Sequence, residues 1–329
     1  MEFTFAVLAY NQAEIILETL ESIKYQIETF GKDRVFNLIV TDDCSHDKTA
    51  EIVMEWIDYN KTLFKKNKVI KNKYNIGTVK NYNVIMQYIK NEQFKVIAGD
   101  DIIGPNNIFR DLSNDIRVID TYPFYALRDG KVEFQKKYLY DYFYRYHFYK
   151  PSKNLTWMRM GDFMHTPSTF YHKDLYLMSR ASDYNKDFCL FEDDPTFYCF
   201  FKNVSDVVVK FHEQPLILYR YTTASTSTVP NERFLHDWRL LQCNYENDSS
   251  FPKNLFFKLR KKSDFSKDLN CNRICNSVKI VCRKMIVKLF YKKEFECFLR
   301  MYSMERDKFD RYYSIIKEKA CSFKEEVRK

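Results

Sequence analysis

Acidic side chains in this chain recur at the ends of short apolar runs. Asp42-Asp43 follows Ile39-Val40-Thr41, Asp100-Asp101 follows Val96-Ile97-Ala98-Gly99, and a third cluster, Glu192-Asp193-Asp194, stands immediately before Pro195. Carboxylates this close repel one another unless a cation, a hydrogen-bond donor or a shift in protonation separates them. A divalent cation bridging a diphosphate is an economical solution, because Mg²⁺ and Mn²⁺ prefer carboxylate and phosphate oxygens and need only one or two acids from a protein. A lone Asp-Asp pair is equally an ordinary turn or helix cap. Two pairs after alternate strands give the chemical reading comparable weight. At a helix N-terminus, where the third cluster falls, the dipole favours negative charge, and a carboxylate there serves as a cap or as a general base.

The elements that must position these acids can be read from the apolar spacing. Residues 3–9, 36–41, 68–71 and 94–98 read as strands. Between them lie helical patterns: Ile15, Ile16, Thr19, Leu20, Ile23 and Ile27, with Asn11 as cap; Ala50, Val53, Met54 and Ile57, capped by Ser45 or Asp47; and residues 78–89. Alternating β and α units with right-handed crossovers give a mostly parallel sheet whose strand C-termini share one edge, where α/β proteins bind ligands. That edge carries Ala9-Tyr10-Asn11, Asp42-Asp43, Asn72 to Asn75, and Gly99-Asp100-Asp101. Farther on, the pattern predicts a helix over 105–112, extended pieces at 118–126, 166–171 and 215–221, a Tyr-rich stretch at 138–149, a helix over 195–201, and helices from 231 to the end.

Several classes are excluded. No G-x-x-x-x-G-K-[ST] occurs, and the first βα turn, Ala9-Tyr10-Asn11-Gln12-Ala13, has no glycine, which argues against a P-loop NTPase and a nicotinamide-binding dehydrogenase. The nine cysteines form no C-x-x-C pair, which fits a reducing compartment. The first ten residues enter an apolar run without a charged leader, and no apolar run approaches the ~18 residues of a membrane span, so a cytoplasmic protein is expected. The charge is uneven: residues 251–329 hold 22 Lys and Arg against 10 Asp and Glu, a net +12, leaving 31 against 34, or −3, for the first 250. A basic tail on a nearly neutral body suits phospholipid headgroups or a polyanionic acceptor, or is a solvated helical face; a nucleic-acid partner is not expected.

Three segments now resemble, in their usual order, the family 2 glycosyltransferases with the GT-A fold. These are Tyr10-Asn11 followed by Glu18-Thr19-Leu20-Glu21-Ser22-Ile23; Ile39-Val40-Thr41-Asp42-Asp43-Cys44-Ser45-His46-Asp47-Lys48-Thr49, close to the family's V-V-D-D-x-S-x-D-x-T; and Asn75-Ile76-Gly77 leading to Asn83. Ala98-Gly99-Asp100-Asp101 occupies the place of the family's D-x-D motif, with Ala98 in place of the first acid. The resemblance implies a Rossmann-like nucleotide-binding α/β domain and an inverting transfer from a nucleotide-sugar, UDP-linked by preference. Tyr10 and Asp43 would line the base pocket beside Ala9 and Asn11, and Asp42 would support the ribose. Asp100 and Asp101 would meet the ribose and a Mn²⁺ or Mg²⁺ ion, with Asn75, Gly77 and Gly99 in the donor site. Tyr82 stands where an Arg is common, so Lys80 is the candidate positive charge.

Phe191-Glu192-Asp193-Asp194-Pro195 resembles the family's E-D motif, which implies Asp193 as general base with Glu192 and Asp194 as substitutes. Tyr219-Arg220-Tyr221-Thr222, followed by Ser225 and Ser227, resembles a segment that closes over the diphosphate, with Thr222 replacing the usual His; Arg220 would pair with a phosphate or shape the loop. His165, Thr166 and Ser168 would border the acceptor, a glycan or lipid-linked hydroxyl, as in bacterial polysaccharide or lipooligosaccharide assembly. The similarity spans about residues 2–228. The expected organisation is a catalytic domain over 1–230, with a donor half to 115 and an acceptor half from 116, and a basic helical extension over 231–329. That extension is a clamp on the catalytic domain or, as the favoured reading, a peripheral anchor to the cytoplasmic face of the inner membrane. The rivals are a catalytically silent nucleotide-sugar-binding scaffold and a sugar nucleotidyltransferase, the latter lacking its Gly-rich loop here.

Overall fold

Period-2 apolar runs build the sheet that carries the site. In the computed structural model, which describes residues 1–90, 93–159, 165–221, 232–248 and 265–327, strands β1 (Glu2–Ala9), β2 (Val35–Asp42), β3 (Lys66–Lys71) and β4 (Gln93–Ala98) pair in parallel in the order β3-β2-β1-β4. Alternate side chains face opposite sides. Phe3, Phe5 and Val7 of β1 and Phe36, Leu38 and Val40 of β2 pack with α1 (Ile16–Phe30) and α2 (Thr49–Tyr59), whereas Ala6 and Ile39 pack with α3 (Thr78–Tyr88) on the other face. Burying each of the larger side chains contributes about 1.5–3 kcal/mol. Trp56 is fully buried and keeps its polar handle satisfied, Nε1 donating to Glu21 Oε1 at 2.7 Å. The register sets Ala9 beside Asp42 and Leu8 beside Ala98, so the two Asp pairs flank the end of β1.

The chain then forms β5 (Ile102–Ile103), β6 (Val118–Thr121), β7 (Phe124–Arg128), β8 (Lys131–Glu133), α4 (Lys136–Phe148), α5 (Asn154–Arg159), β9 (Thr169–Tyr171), α6 (Lys173–Ser179), α7 (Ala181–Asn185), α8 (Asp193–Asn203), β10 (Val208–Phe211) and β11 (Ile217–Arg220). Two small sheets result, β10-β6-β9 and β5-β11-β7-β8. Because β5 follows Asp101 directly and pairs antiparallel with β11, the end of β11 lies against the acid loop. The helices α9 (Glu232–Asn247), α10 (Phe265–Phe290) and α11 (Lys292–Val327) complete the described chain. Each of the three buried apolar clusters draws residues from both sides of position 115 and of position 230.

Two local expectations are corrected. Residues 105–112 form turns and no helix. The amide of Gln26 does there what a helical ladder would otherwise do: Nε2 donates to the carbonyls of Gly104 and Asn106, and Oε1 accepts from Ile108 N. Asn11 does not cap α1. It adopts φ 50°, its N–H donates to Ser45 Oγ at 2.9 Å and its Oδ1 accepts from His46 N at 2.8 Å, which ties the first loop to the second. Asp47 does act at the start of α2, accepting from Thr49 N at 3.0 Å.

The long helix α11 is a clamp. Tyr302 donates to the carbonyl of Phe124, Tyr125 donates to that of Tyr302, and Tyr312 donates to that of Ile103 at 2.8 Å. Phe309, Tyr312 and Ile316 are buried against Ile102, Tyr125 and Leu218. The helix therefore holds the β5-β11-β7 sheet, and with it the strand that leaves the acid loop.

Candidate active site

At the end of β1, Tyr10 is 41% exposed. Ala9 is buried and its carbonyl accepts from Asp43 N at 2.9 Å. Asp42 is buried and accepts from both the N–H and the hydroxyl of Ser45, a turn-forming role. Asp43 is buried too; its carboxylate accepts from Asn72 Nδ2 at 3.0 Å and from the N–H groups of Ile76 and Gly77, each at 2.9 Å. Three of its roughly four lone-pair sites are thus used to hold the loop that carries Asn75 and Gly77, and one remains. Gly77 has φ 86°, and a side chain there would also approach the carbonyl of Cys189 to 3.0 Å. Lys80 lies exposed near Cys189, while Tyr82 is buried and bonded to the Tyr171 hydroxyl.

The second acid pair sits in a tight turn in which Asp101 N donates to Ala98 O at 3.1 Å. A Cβ at Gly99 would lie 2.4 Å from Gln12 Oε1 and 2.3 Å from Ile16 Cδ1, so a side chain there would force the ends of both side chains to shift. Asp101 is buried; its Oδ1 accepts from Arg220 N at 2.9 Å, and its Oδ2 has no hydrogen-bond partner among the described residues. Burial pushes the Asp100 carboxyl up, and it pushes Asp101 well above the usual carboxylate range, with Asp100 driving it further. An orphaned carboxylate oxygen beside a second carboxylate is a donor set that fits a divalent cation. Arg220 is engaged by the protein: Nε donates to Asp100 O at 2.8 Å, an Nη pairs with Glu18, and Cζ lies 6.0 Å from the ring centroid of Tyr313 of α11. These contacts tie Arg220 to the acid turn and to α1. Thr222, Ser225 and Ser227, which follow it, lie outside the described residues.

Helix α1 supports that turn with a polar stripe. Glu18, Thr19, Ser22 and Gln26 are all buried. Besides the Glu18 and Gln26 contacts, Thr19 Oγ1 donates to Asp101 O at 2.7 Å and Ser22 Oγ accepts from Ile103 N at 3.1 Å. Lys95, fully buried on β4, donates to the carbonyls of Thr166 at 3.0 Å and Thr169 at 2.9 Å; burial lowers its pKa to about 7, with Asp101 opposing. None of these supports was anticipated as functional, although the spacing 18-22-26 beside the apolar stripe was available as a signal.

The third cluster opens α8. Asp193 Oδ1 accepts from Asp194 N at 2.8 Å, and Asp193 and Glu192 keep partial access to solvent. Asp194 is 4% exposed, and its buried Oδ1 has no hydrogen-bond partner among the described residues. Burial raises all three pKa values, Glu192 to about 8 with help from Asp193. The loop leading here is pinned by Asp237 of α9, which is fully buried and accepts from the N–H groups of Cys189, Leu190 and Phe191 at 2.6–3.0 Å. Cys189, His236 and Asp237 bring ligand atoms within 4.8 Å of one another, but those N–H groups and His236 Nδ1 at 3.0 Å already occupy the Asp237 carboxylate, so the cluster is a loop anchor and not a cation site.

A pH dependence follows from these shifts. A carboxyl raised in the folded state adds stability below its unfolded pKa of about 4.5 and loses it as pH rises through about 8. Lys95, lowered to about 7, acts in the opposite sense only above that pH. Denaturant midpoints of the ligand-free chain should therefore fall between about pH 5 and 7, by at most about 1.4 kcal/mol per pH unit for each proton released, and Glu192→Gln should flatten the slope.

Of the expected acceptor-side residues, Thr166 and Ser168 are buried and His165 is half-buried. His165 stacks on Phe124 at 4.2 Å and meets Tyr219 edge-on at 4.4 Å, and burial lowers its pKa to about 3, so it stays neutral. Thr166 and Ser168 are buried, the Ser168 hydroxyl turning back onto His165 O at 3.1 Å. They form a wall behind Tyr219. Burial raises the pKa of the Tyr219 phenol, with nearby acidic groups adding to the rise.

A model of the family described as glycosyl transferase family 2 matches residues 4–176, just over half of the chain. No curated protein matches the sequence. Among solved structures, S. aureus TarS is 19% identical with a TM-score of 0.52, covering 78% of this chain; the chain spans only 41% of that one. TarS 1-349 in complex with UDP-GlcNAc is 16% identical with a TM-score of 0.54, covering 97% of this chain and 92% of that one. GalNAc-T7 with UDP, GalNAc and Mn²⁺ is 10% identical with a TM-score of 0.50, covering 82% and 56%. At such identities the likeness is one of fold.

Proposed function

The chain belongs to glycosyl transferase family 2, and on that premise we propose that it moves a sugar from a UDP-activated donor to a hydroxyl of a glycan or lipid-linked acceptor, with inversion. The observation that carries the proposal is the placement of Asp42-Asp43 and Asp100-Asp101 on the two sides of the C-terminal end of β1, the edge where α/β sheets bind nucleotides, within the residues that match the family. TarS 1-349 holds UDP-GlcNAc, a UDP-linked donor, on a similar fold.

In this reading Tyr10 stacks on the base, and Asp43 offers its remaining lone pair to the base imide while holding Asn75 and Gly77 in place. Asp42 keeps the neighbouring turn closed beside the ribose. Lys80 supplies positive charge on the donor side. Asp101, with Asp100, would hold a Mn²⁺ or Mg²⁺ ion, which when bound neutralises the departing diphosphate. Arg220 and Glu18 fix the turn that presents these acids. Asp193 accepts the acceptor hydroxyl proton as that oxygen forms its bond to the anomeric carbon and the bond to the diphosphate breaks. A carboxylate raised by burial is the better base, provided it is ionised when the acceptor arrives. Glu192 is the neighbouring alternative.

The test is UDP release from a panel of UDP-sugars by the full chain with Mn²⁺. Turnover of at least one donor, stopped by EDTA, supports the proposal. UDP binding without release from any donor or acceptor tried would favour a nucleotide-sugar-binding scaffold.

A further inference from the structure

We propose that the outer face of α10 docks on an anionic lipid bilayer. The helix is oriented by its inner face: Val287 is fully buried, and Arg283, 5% exposed, pairs with Asp141 while its guanidinium lies 4.8 Å from the Tyr144 ring and 5.3 Å from that of Trp157. With those residues turned inward, Val278, Val281, Met285 and Leu289 fall on the opposite side at helical spacing. They are 55%, 54%, 55% and 70% exposed, and Phe290 at the end of the helix is 72% exposed. No charge interrupts this stripe, but lysines border it. Lys284, Lys288, Lys292 and Lys293 are exposed, and residues 278–293 contain six basic residues and no acid.

Exposed apolar side chains bordered by cations match the region of a bilayer where acyl chains meet anionic headgroups. A second copy of the chain is a poorer occupant, because a twofold pairing would set these lysines against their own equivalents. A polyanion without an apolar layer would use the lysines and leave the stripe in water. Among the described residues no helix is long and apolar enough to cross a membrane, so the contact is peripheral. The helix contributes no residue to the acidic site, and its role is to hold the enzyme at a surface where lipid-linked acceptors are presented.

The test is co-sedimentation of the full chain with vesicles of equal parts phosphatidylglycerol and phosphatidylcholine, compared with phosphatidylcholine alone. The expected result is at least about tenfold greater binding to the anionic vesicles, weakened by salt and lost in Met285→Glu/Leu289→Glu. UDP titration of that variant shows whether the fold and the donor site survive, which separates failure of this inference from failure of the catalytic one. Equal binding of wild type and variant, absence of binding to the anionic vesicles, or a dimer in light scattering that the variant abolishes would overturn it.

Discussion

Asp193→Asn should lower kcat by about 10²- to 10⁴-fold while leaving UDP affinity within about twofold, the range expected when a general base is removed and donor binding is kept. The substitution isolates the proton transfer. Asp193 Oδ1 accepts from Asp194 N at the start of α8, and an asparagine oxygen can keep that bond, so the helix need not move. What is lost is the ability to take a proton. Steady-state rates and UDP titration on the same preparation measure the two effects. A loss below tenfold would move the base to Glu192, whose Gln variant would then carry the larger defect.

Asp237→Ala should cost about 3 kcal/mol or more of folding stability and lower kcat more than it weakens UDP binding. Three backbone N–H groups, those of Cys189, Leu190 and Phe191, lose their acceptor together. A buried donor without a partner costs about 1–3 kcal/mol, partly relieved when the loop relaxes toward water. That loop leads into Glu192 and Asp193, so its relaxation displaces the base first. The donor side is touched through the Cys189 carbonyl, which accepts from Val79 N at 3.2 Å. His236→Ala is the control, because its ring is 57% exposed beside the same carboxylate. Denaturant unfolding reads the stability effect, and a wild-type midpoint for Asp237→Ala would remove Asp237 from the account.

Strands β1 to β4 were legible because their apolar runs alternate with amphipathic helices and end in polar residues. Sheet geometry then required Asp42-Asp43 and Asp100-Asp101 to flank the end of β1. The signal failed where single side chains decide the local structure. Residues 105–112 have a helical pattern, yet Gln26 takes over the hydrogen bonds that a helix would make. Around His165, Thr166 and Ser168 the local structure is set by Lys95, which takes the carbonyls of Thr166 and Thr169 from 71 and 74 residues away, a pairing that no local spacing marks. The pairs Glu18–Arg220 and Cys189–Asp237 lie far apart along the chain, and no local spacing marks them. The tail's composition suited a clamp or an anchor; α11 packs on the β5-β11-β7 sheet, while α10 leaves an apolar face outward.

The donor site is tested most directly by calorimetric titration of UDP into the full chain with and without Mn²⁺, repeated on Asp101→Asn and Asp193→Asn. The expected result is Mn²⁺-dependent binding that is lost in Asp101→Asn and retained in Asp193→Asn. UDP affinity that is indifferent both to Mn²⁺ and to Asp101→Asn, or no binding of UDP under any of these conditions, would contradict it.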